Sequence, residues 1–324
     1  MGIHADIAAL IDRFLAGEVA AAARLITVIE NGGDRAEEVM DGIFPRTRGA
    51  YRIGFTGPPG AGKSSLVYRL SRVFRSQGRE LGIIAVDPTS PFSGGALLGD
   101  RIRMQKLSDD PCVFVRSLAS RGSLGGISSC TDEVADLLDA FGKDLVLIET
   151  VGVGQSELEI AEKAHTVVVI LVPESGDGVQ AMKAGLMEIG DVFVMNKADH
   201  PDAVRAAQEI EDTIRIKDVP QGGWRPPVVL ASALDGTGID EIVARIAEHR
   251  GHLEEKGLLQ AKRRRVLYSR VRDAFMDRME NRIWNNEKVR GIIEGRIGEV
   301  YSGRLSPYRL VRELESLVAE NLRI

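Results

Sequence analysis

Short apolar runs dominate the middle of the chain, with amphipathic stretches between most of them. The runs are YRIGF (51–55), LGIIAV (81–86), CVFVR (112–116), LVLIE (145–149), TVVVILV (166–172), VFVMN (192–196) and PVVLAS (227–232). They are nearly continuous in apolar residues rather than alternating. That pattern predicts strands buried on both faces, hence an α/β fold with a mainly parallel sheet flanked by helices. Helical patterns over 63–76 and 129–141 fill two of the gaps.

The two flanks read differently. Ile7, Leu10, Ile11 and Phe14 fall at i, i+3, i+4, i+7, so they share one helix face. The alanine-rich stretch 17–29 and the segment 36–43 add two helices, broken at Asn31-Gly32-Gly33. A helical segment this small (1–50) needs a partner surface, most simply the domain that follows. After about residue 250 the strand signals stop. Residues 251–324 are charged and helical, with Val266, Val271 and Phe275 roughly spaced for one face and breaks at Asn285-Asn286 and 302–307. Such an extension either packs on the core or reaches for another subunit.

Composition narrows the class. The chain has 324 residues, 44% hydrophobic and 27% charged, which excludes a wholly disordered, collagen-like or disulfide-scaffold protein. A net charge of −5 offers no bulk attraction to nucleic acid or to an anionic membrane. The basic run Lys262–Arg265 spreads around a helix and reads as a solvated face. Two cysteines fit a reduced compartment. No stretch of about 18 apolar residues is present to span a bilayer. The start of the chain lacks a signal-peptide pattern, and Asp6 stands where a myristoylation signal has Ser or Thr. The expectation is a cytoplasmic protein with no nucleic-acid or membrane partner.

The strongest chemical signal is Gly57-Pro58-Pro59-Gly60-Ala61-Gly62-Lys63-Ser64, which follows a predicted strand and opens a predicted helix whose next residue is Ser65. This is G-x-x-x-x-G-K-S in its required context. Glycines let the backbone wrap phosphates, and the helix N-terminus favours their charge. Lys63 is placed to reach the β- and γ-phosphates and Ser64 to ligate Mg²⁺. A second motif, Asn196-Lys197-Ala198-Asp199, follows strand VFVMN. Its carboxylate, Asp199, suits guanine N1–H and N2–H₂, donors that adenine does not present as a pair. Asn196 braces the loop, and the Lys197 stem packs along the base. Ser232-Ala233-Leu234 ends another strand and matches the companion loop whose backbone N–H meets guanine O6. Together the three motifs predict GTP and GDP as ligands.

Three more positions surround the expected metal. Glu149 ends strand LVLIE, where it suits a water-mediated or outer contact to Mg²⁺, and Gly152 is placed to donate its N–H to the γ-phosphate. Val153 stands where Ras-like GTPases place a water-orienting Gln. Gln155 reads either as a substitute or as an ordinary helix-start residue, and slow intrinsic hydrolysis responsive to a partner or a dimer is expected. Asp87 ends strand LGIIAV and Asp100 follows a Gly-rich loop. They read as carboxylates delivered towards Mg²⁺, or as a turn residue and a helix N-cap.

These motifs, with the strings E-T-V-G-V-G-Q-S-E (149–157), V-D-P-T-S-P (86–91) and G-G-A-L-L-G-D-R-I-R-M (94–104), make the chain resemble the MeaB/ArgK family of SIMIBI-class P-loop GTPases. The resemblance runs from the helical N-terminus to about residue 250, and more loosely beyond. It implies a GTPase chaperone that binds an adenosylcobalamin-dependent acyl-CoA mutase of the methylmalonyl-CoA mutase type and gates cofactor loading and protection. It further implies that Asp87 and Asp100 occupy the family's Mg²⁺ and switch-I positions, and that Glu149 is its Walker-B-like acid. The stretch 173–183, with Asp177, Gln180 and Lys183, matches a switch segment that relays the partner's presence; its residues by themselves read as a strand-to-helix turn with Asp177 as N-cap. The resemblance also implies a homodimer, with 251–324 as the dimerisation arm and 51–250 as the GTPase domain. Two other readings stand beside it. A metal-delivery GTPase of the same class would carry His-rich tracts or Cys clusters, which five scattered His and two Cys do not supply. A nucleotide-gated scaffold with little turnover stays open because the Ras-like Gln is missing.

Overall fold

The computed structural model describes residues 7–87, 107, 109–119, 130–150, 156–173, 185–216 and 222–322. Each of the seven apolar runs forms a strand: β1 Tyr51–Thr56, β2 Leu81–Asp87, β3 Val113–Ala119, β4 Leu145–Glu149, β5 Thr166–Leu171, β6 Val192–Met195 and β7 Val228–Leu230. They build one 7-stranded sheet in the order β3-β2-β4-β1-β5-β6-β7, and every pairing is parallel. The helices are α1 Ile7–Leu15, α2 Val19–Asn31, α3 Asp34–Ile43, α4 Lys63–Ser76, α5 Thr131–Ala140, α6 Ser156–Lys163, α7 Ala203–Ile216, α8 Ile239–Glu255, α9 Leu258–Trp284, α10 Glu287–Tyr301 and α11 Pro307–Leu322.

Burial on both sheet faces explains why the strands do not alternate. Along β5, Val167, Val169 and Leu171 enter one core while Val168 and Ile170 enter the other. The first core gathers α1, α2, α3, α5, α6 and α7. The second gathers α4 and α8. The predicted stripe of α1 holds: Ile7, Leu10 and Phe14 are buried, and Ile11 packs against them. Asp139 then fixes the entry to β1, accepting from the Arg48 and Gly49 N–H groups at 2.8 Å each.

Contacts divide the chain into two compact units, Met1–Leu259 and Gln260–Ile324. In the first, β2, β3 and β4 lie on one side of β1 and β5, β6 and β7 on the other. The carboxyl ends of these parallel strands share one edge of the sheet with that of β1 at its centre, where open α/β sheets place ligands. The second unit is helical. Asn286 caps α10 by accepting from the N–H groups of Lys288 (2.9 Å) and Val289 (3.4 Å), which explains the break read at Asn285-Asn286. Arg296 and Glu313 pair at 2.9 Å, linking α10 to α11. Tyr268, Val271 and Phe275 share a face of α9 and are exposed.

Candidate nucleotide site

β1 delivers the chain into the loop 57–62, and α4 begins at Lys63. Two glycines there are forced by close approach as well as by backbone. Gly57 has φ +139° and a Cβ on it would sit 2.0 Å from the Ile170 carbonyl oxygen; Gly62 has φ +88° and its Cβ would meet Asn196 Nδ2 at 2.3 Å. The loop is closed by Ala61 N–H donating to Pro58 O at 3.2 Å, and the helix starts with Leu66 N–H donating to Gly62 O at 3.0 Å. First-turn N–H groups of a helix lie outside its own ladder and favour an anion. Lys63 is buried, and its ammonium donates to Gly57 O at 2.7 Å and Pro58 O at 3.1 Å.

Ser64 and Glu149 meet although 85 positions separate them: the Ser64 hydroxyl donates to Glu149 Oε1. Register explains the meeting, since Glu149 lies between Phe55 of β1 and Ala85 of β2. Thr150, the next residue, is tied to β1 by its N–H to Phe55 O at 3.0 Å and its hydroxyl to Thr56 Oγ1 at 3.2 Å. A half-buried hydroxyl beside a buried carboxylate is a hard oxygen pair suited to Mg²⁺. Among the described residues no group of three or more His, Cys, Asp or Glu could hold a metal by itself. Mg²⁺ is commonly held by one or two protein oxygens with phosphates and water completing its shell, so the pair fits that ion.

The guanine-type motif is built into the same site. Asn196 is buried and follows β6; its Nδ2 donates to Ala61 O at 2.7 Å and its Oδ1 accepts from Ala233 N–H at 3.1 Å. One amide thereby joins the phosphate-type loop, the N-K-x-D turn and the Ser232–Leu234 loop. Lys197 is the one non-glycine with positive φ among the described residues (59°). Its left-handed backbone costs about 1–2 kcal/mol; it lets Ala198 N–H reach Ala231 O at 3.0 Å and His200 N–H reach Lys197 O at 2.9 Å. Asp199 is exposed at the rim of this turn. Ser232 is buried, with its N–H on Thr237 O at 3.0 Å.

Lys63, Ser64, Glu149, Asn196, Ala61 and Ala233 are thus brought together, and Gly57, Pro58, Pro59, Gly60, Gly62 and Ser65 form the loop and first helical turn around them. Asp87 closes β2, in register with Ala119. Asp100, Gly152, Gln155, Asp177, Gln180 and Lys183 lie outside the described residues.

Glu157 carried no role in the sequence reading, although it ends the string E-T-V-G-V-G-Q-S-E. It is buried, its carbonyl accepts from Thr56 Oγ1 at 3.3 Å, and its Oε1 meets no donor among the described residues. Burial pushes its carboxyl above the usual range, and the Lys63 charge only partly opposes that shift. An acid at the start of a helix inside a chemistry-rich string was the available signal. The raised value has a defined consequence for stability. The wild type holds its full Glu157 contribution below the ordinary carboxylate pKa and loses it as pH rises through the folded value. Glu157→Gln removes that loss. Denaturant midpoints measured from about pH 4.5 to 7.5 should show the variant's advantage over the parent growing with pH. A difference independent of pH would refute the burial argument.

Comparison with known proteins agrees with this geometry. Residues 22–288 match the model of a family described as methylmalonyl-CoA mutase-associated GTPase MeaB. A protein of Pyrococcus abyssi named only as a candidate GTPase is 46% identical over 301 residues, covering 92% of this chain and 93% of the relative. GTPase ArgK of Escherichia coli is 34% identical over 322 residues, covering 97% of each chain. A crystal structure titled LAO/AO transport system kinase superposes with a TM-score of 0.72 at 28% identity, covering 98% of this chain and 99% of the other.

Proposed function

This chain belongs to the MeaB family of methylmalonyl-CoA mutase-associated GTPases, and from that premise we propose that it hydrolyses GTP to GDP and phosphate as the chaperone of an adenosylcobalamin-dependent acyl-CoA mutase, gating cofactor loading and protection. The observation that carries the GTP reading is the Asn196 amide, which locks the phosphate-type and guanine-type loops into one site. The mutase partnership is supported by the family description.

In this reading the loop Gly57–Gly62 and the first turn of α4, Lys63 to Ser65, hold the phosphates. Lys63 exchanges its Gly57 and Pro58 carbonyls for the β- and γ-phosphate oxygens, and the Gly152 N–H supports the γ-phosphate. Ser64 and Glu149 would hold Mg²⁺, with Asp87 and Asp100 as the further carboxylates directed towards it. Mg²⁺ supplies neutralisation of the charge that builds on the phosphoryl oxygens. Asp199 accepts from guanine N1–H and N2–H₂, and the Ser232–Leu234 loop supplies a donor to O6. Asp177, Gln180 and Lys183 relay the partner's presence.

The chain acts as a cytoplasmic homodimer, with 51–250 as the GTPase domain and 251–324 as the arm; the exposed apolar face of α9 at Tyr268, Val271 and Phe275 supports that assignment. No helix among the described residues is long and apolar enough to cross a membrane.

The test is turnover by the purified protein, alone and with the adenosylcobalamin-dependent mutase of its own source, with ATP as control. Slow GTP turnover that rises severalfold with the mutase is expected. GTP turnover indifferent to any mutase would remove the partner, and GTP binding without turnover would leave a nucleotide-gated scaffold.

A further inference from the structure

Arg69 sits on α4, in the helix that opens with Lys63. Its Nε donates to Ala233 O at 3.1 Å and its Nη2 to Leu234 O at 2.6 Å. A single guanidinium therefore grips two consecutive carbonyls of the Ser232–Leu234 loop. Gly236 adjoins it, at φ +93°, and a Cβ there would stand in ordinary contact with Arg69 Nη1 at 3.7 Å.

A trans peptide is a rigid plane whose C=O and N–H point in opposite directions, and the described chain has no cis peptide. Holding Ala233 O thus fixes the Leu234 N–H and aims it away from the guanidinium. The other two N–H groups of the loop are engaged: Ser232 donates to Thr237 O at 3.0 Å and Ala233 to Asn196 Oδ1 at 3.1 Å. The Leu234 N–H is the one of the three that no described residue accepts. A cation on its own carbonyl also polarises the peptide and strengthens that donor.

We propose that Arg69 is a positioning residue for base recognition, presenting the Leu234 N–H to the carbonyl oxygen at position 6 of guanine. This rests on the GTP reading above. The planar fork is what the role needs, because a lysine is a point charge and would not hold both carbonyls in fixed planes.

The experiment is calorimetric binding of GDP, 6-thio-GDP and ADP to the parent, Arg69→Met and Arg69→Lys, with thermal melts of each protein reporting the fold. 6-Thio-GDP keeps the N1 and N2 donors and replaces the O6 acceptor with a weak one. Arg69→Met should weaken GDP by roughly tenfold, the scale of one hydrogen bond, and 6-thio-GDP by less than about twofold. Arg69→Lys should fall between, and carries the same comparison if the methionine variant does not fold. Equal losses for GDP and 6-thio-GDP, or no loss for either, would reduce Arg69 to a brace and overturn the proposal. A parent protein that does not prefer GDP to ADP would instead remove the guanine reading itself, and this proposal with it.

Discussion

Lys63→Ala should lower kcat/KM for GTP by about 10²–10³-fold, some 3–4 kcal/mol of transition-state stabilisation. The ammonium is buried and held by two carbonyls of the phosphate-type loop, so it is already desolvated. Phosphoryl transfer spreads charge over the γ-phosphate oxygens, and a fixed cation lowers its cost most in a site that excludes water. Alanine keeps the helix propensity of α4, while the Gly57 and Pro58 carbonyls left without their donor cost about 1–3 kcal/mol each, a loss that the melting temperature records separately from turnover. Steady-state turnover and a thermal melt of the same preparation check this. A variant retaining turnover within tenfold of the parent would show that the lysine is not on the phosphate path.

Asn196→Ala should be the most damaging single change outside the phosphate-type loop. The amide makes one buried and one part-buried hydrogen bond to two different loops, so its loss strands the Ala61 carbonyl and the Ala233 N–H. Each orphaned group costs about 1–3 kcal/mol, and a denaturant titration should record a loss of about 2–4 kcal/mol together with collapse of GDP affinity. Asn196→Asp sharpens the test. A carboxylate still accepts from Ala233 N–H but faces the Ala61 carbonyl oxygen with no proton to offer, so it should rescue neither quantity. Recovery by the aspartate would mean that only the Ala233 contact matters.

Much of this site was readable along the chain because its chemistry is local. Walker-type loops need small residues, a lysine and a hydroxyl within a few positions, and Gly57 to Ser64 supplies them in one string. The guanine-type turn is equally compact. What the string does not say is how hard its glycines are held. Gly57 and Gly62 are pinned by Ile170 and Asn196, residues more than a hundred positions away. Glu157 was visible as a letter, but its burial arises from packing between β1 and α6. Arg69 gave no signal at all: an arginine on the polar side of an amphipathic helix is ordinary until its partners are known.

By itself the sequence determined the class of fold and the nature of the ligand. Doubly buried strands must be written as continuous apolar runs, and a phosphate loop must be written as glycines before a lysine, so both are short-range statements. Only the tertiary structure decided which residues hold those motifs against one another. β4 lies beside β1 through parallel pairing across a long connection, which brings Glu149 to Ser64; β6 and β7 lie side by side, which lets Asn196 bridge the Ala61 carbonyl and the Ala233 N–H. Strand order is a long-range choice set by how helices cover the two sheet faces, and no window of sequence records it.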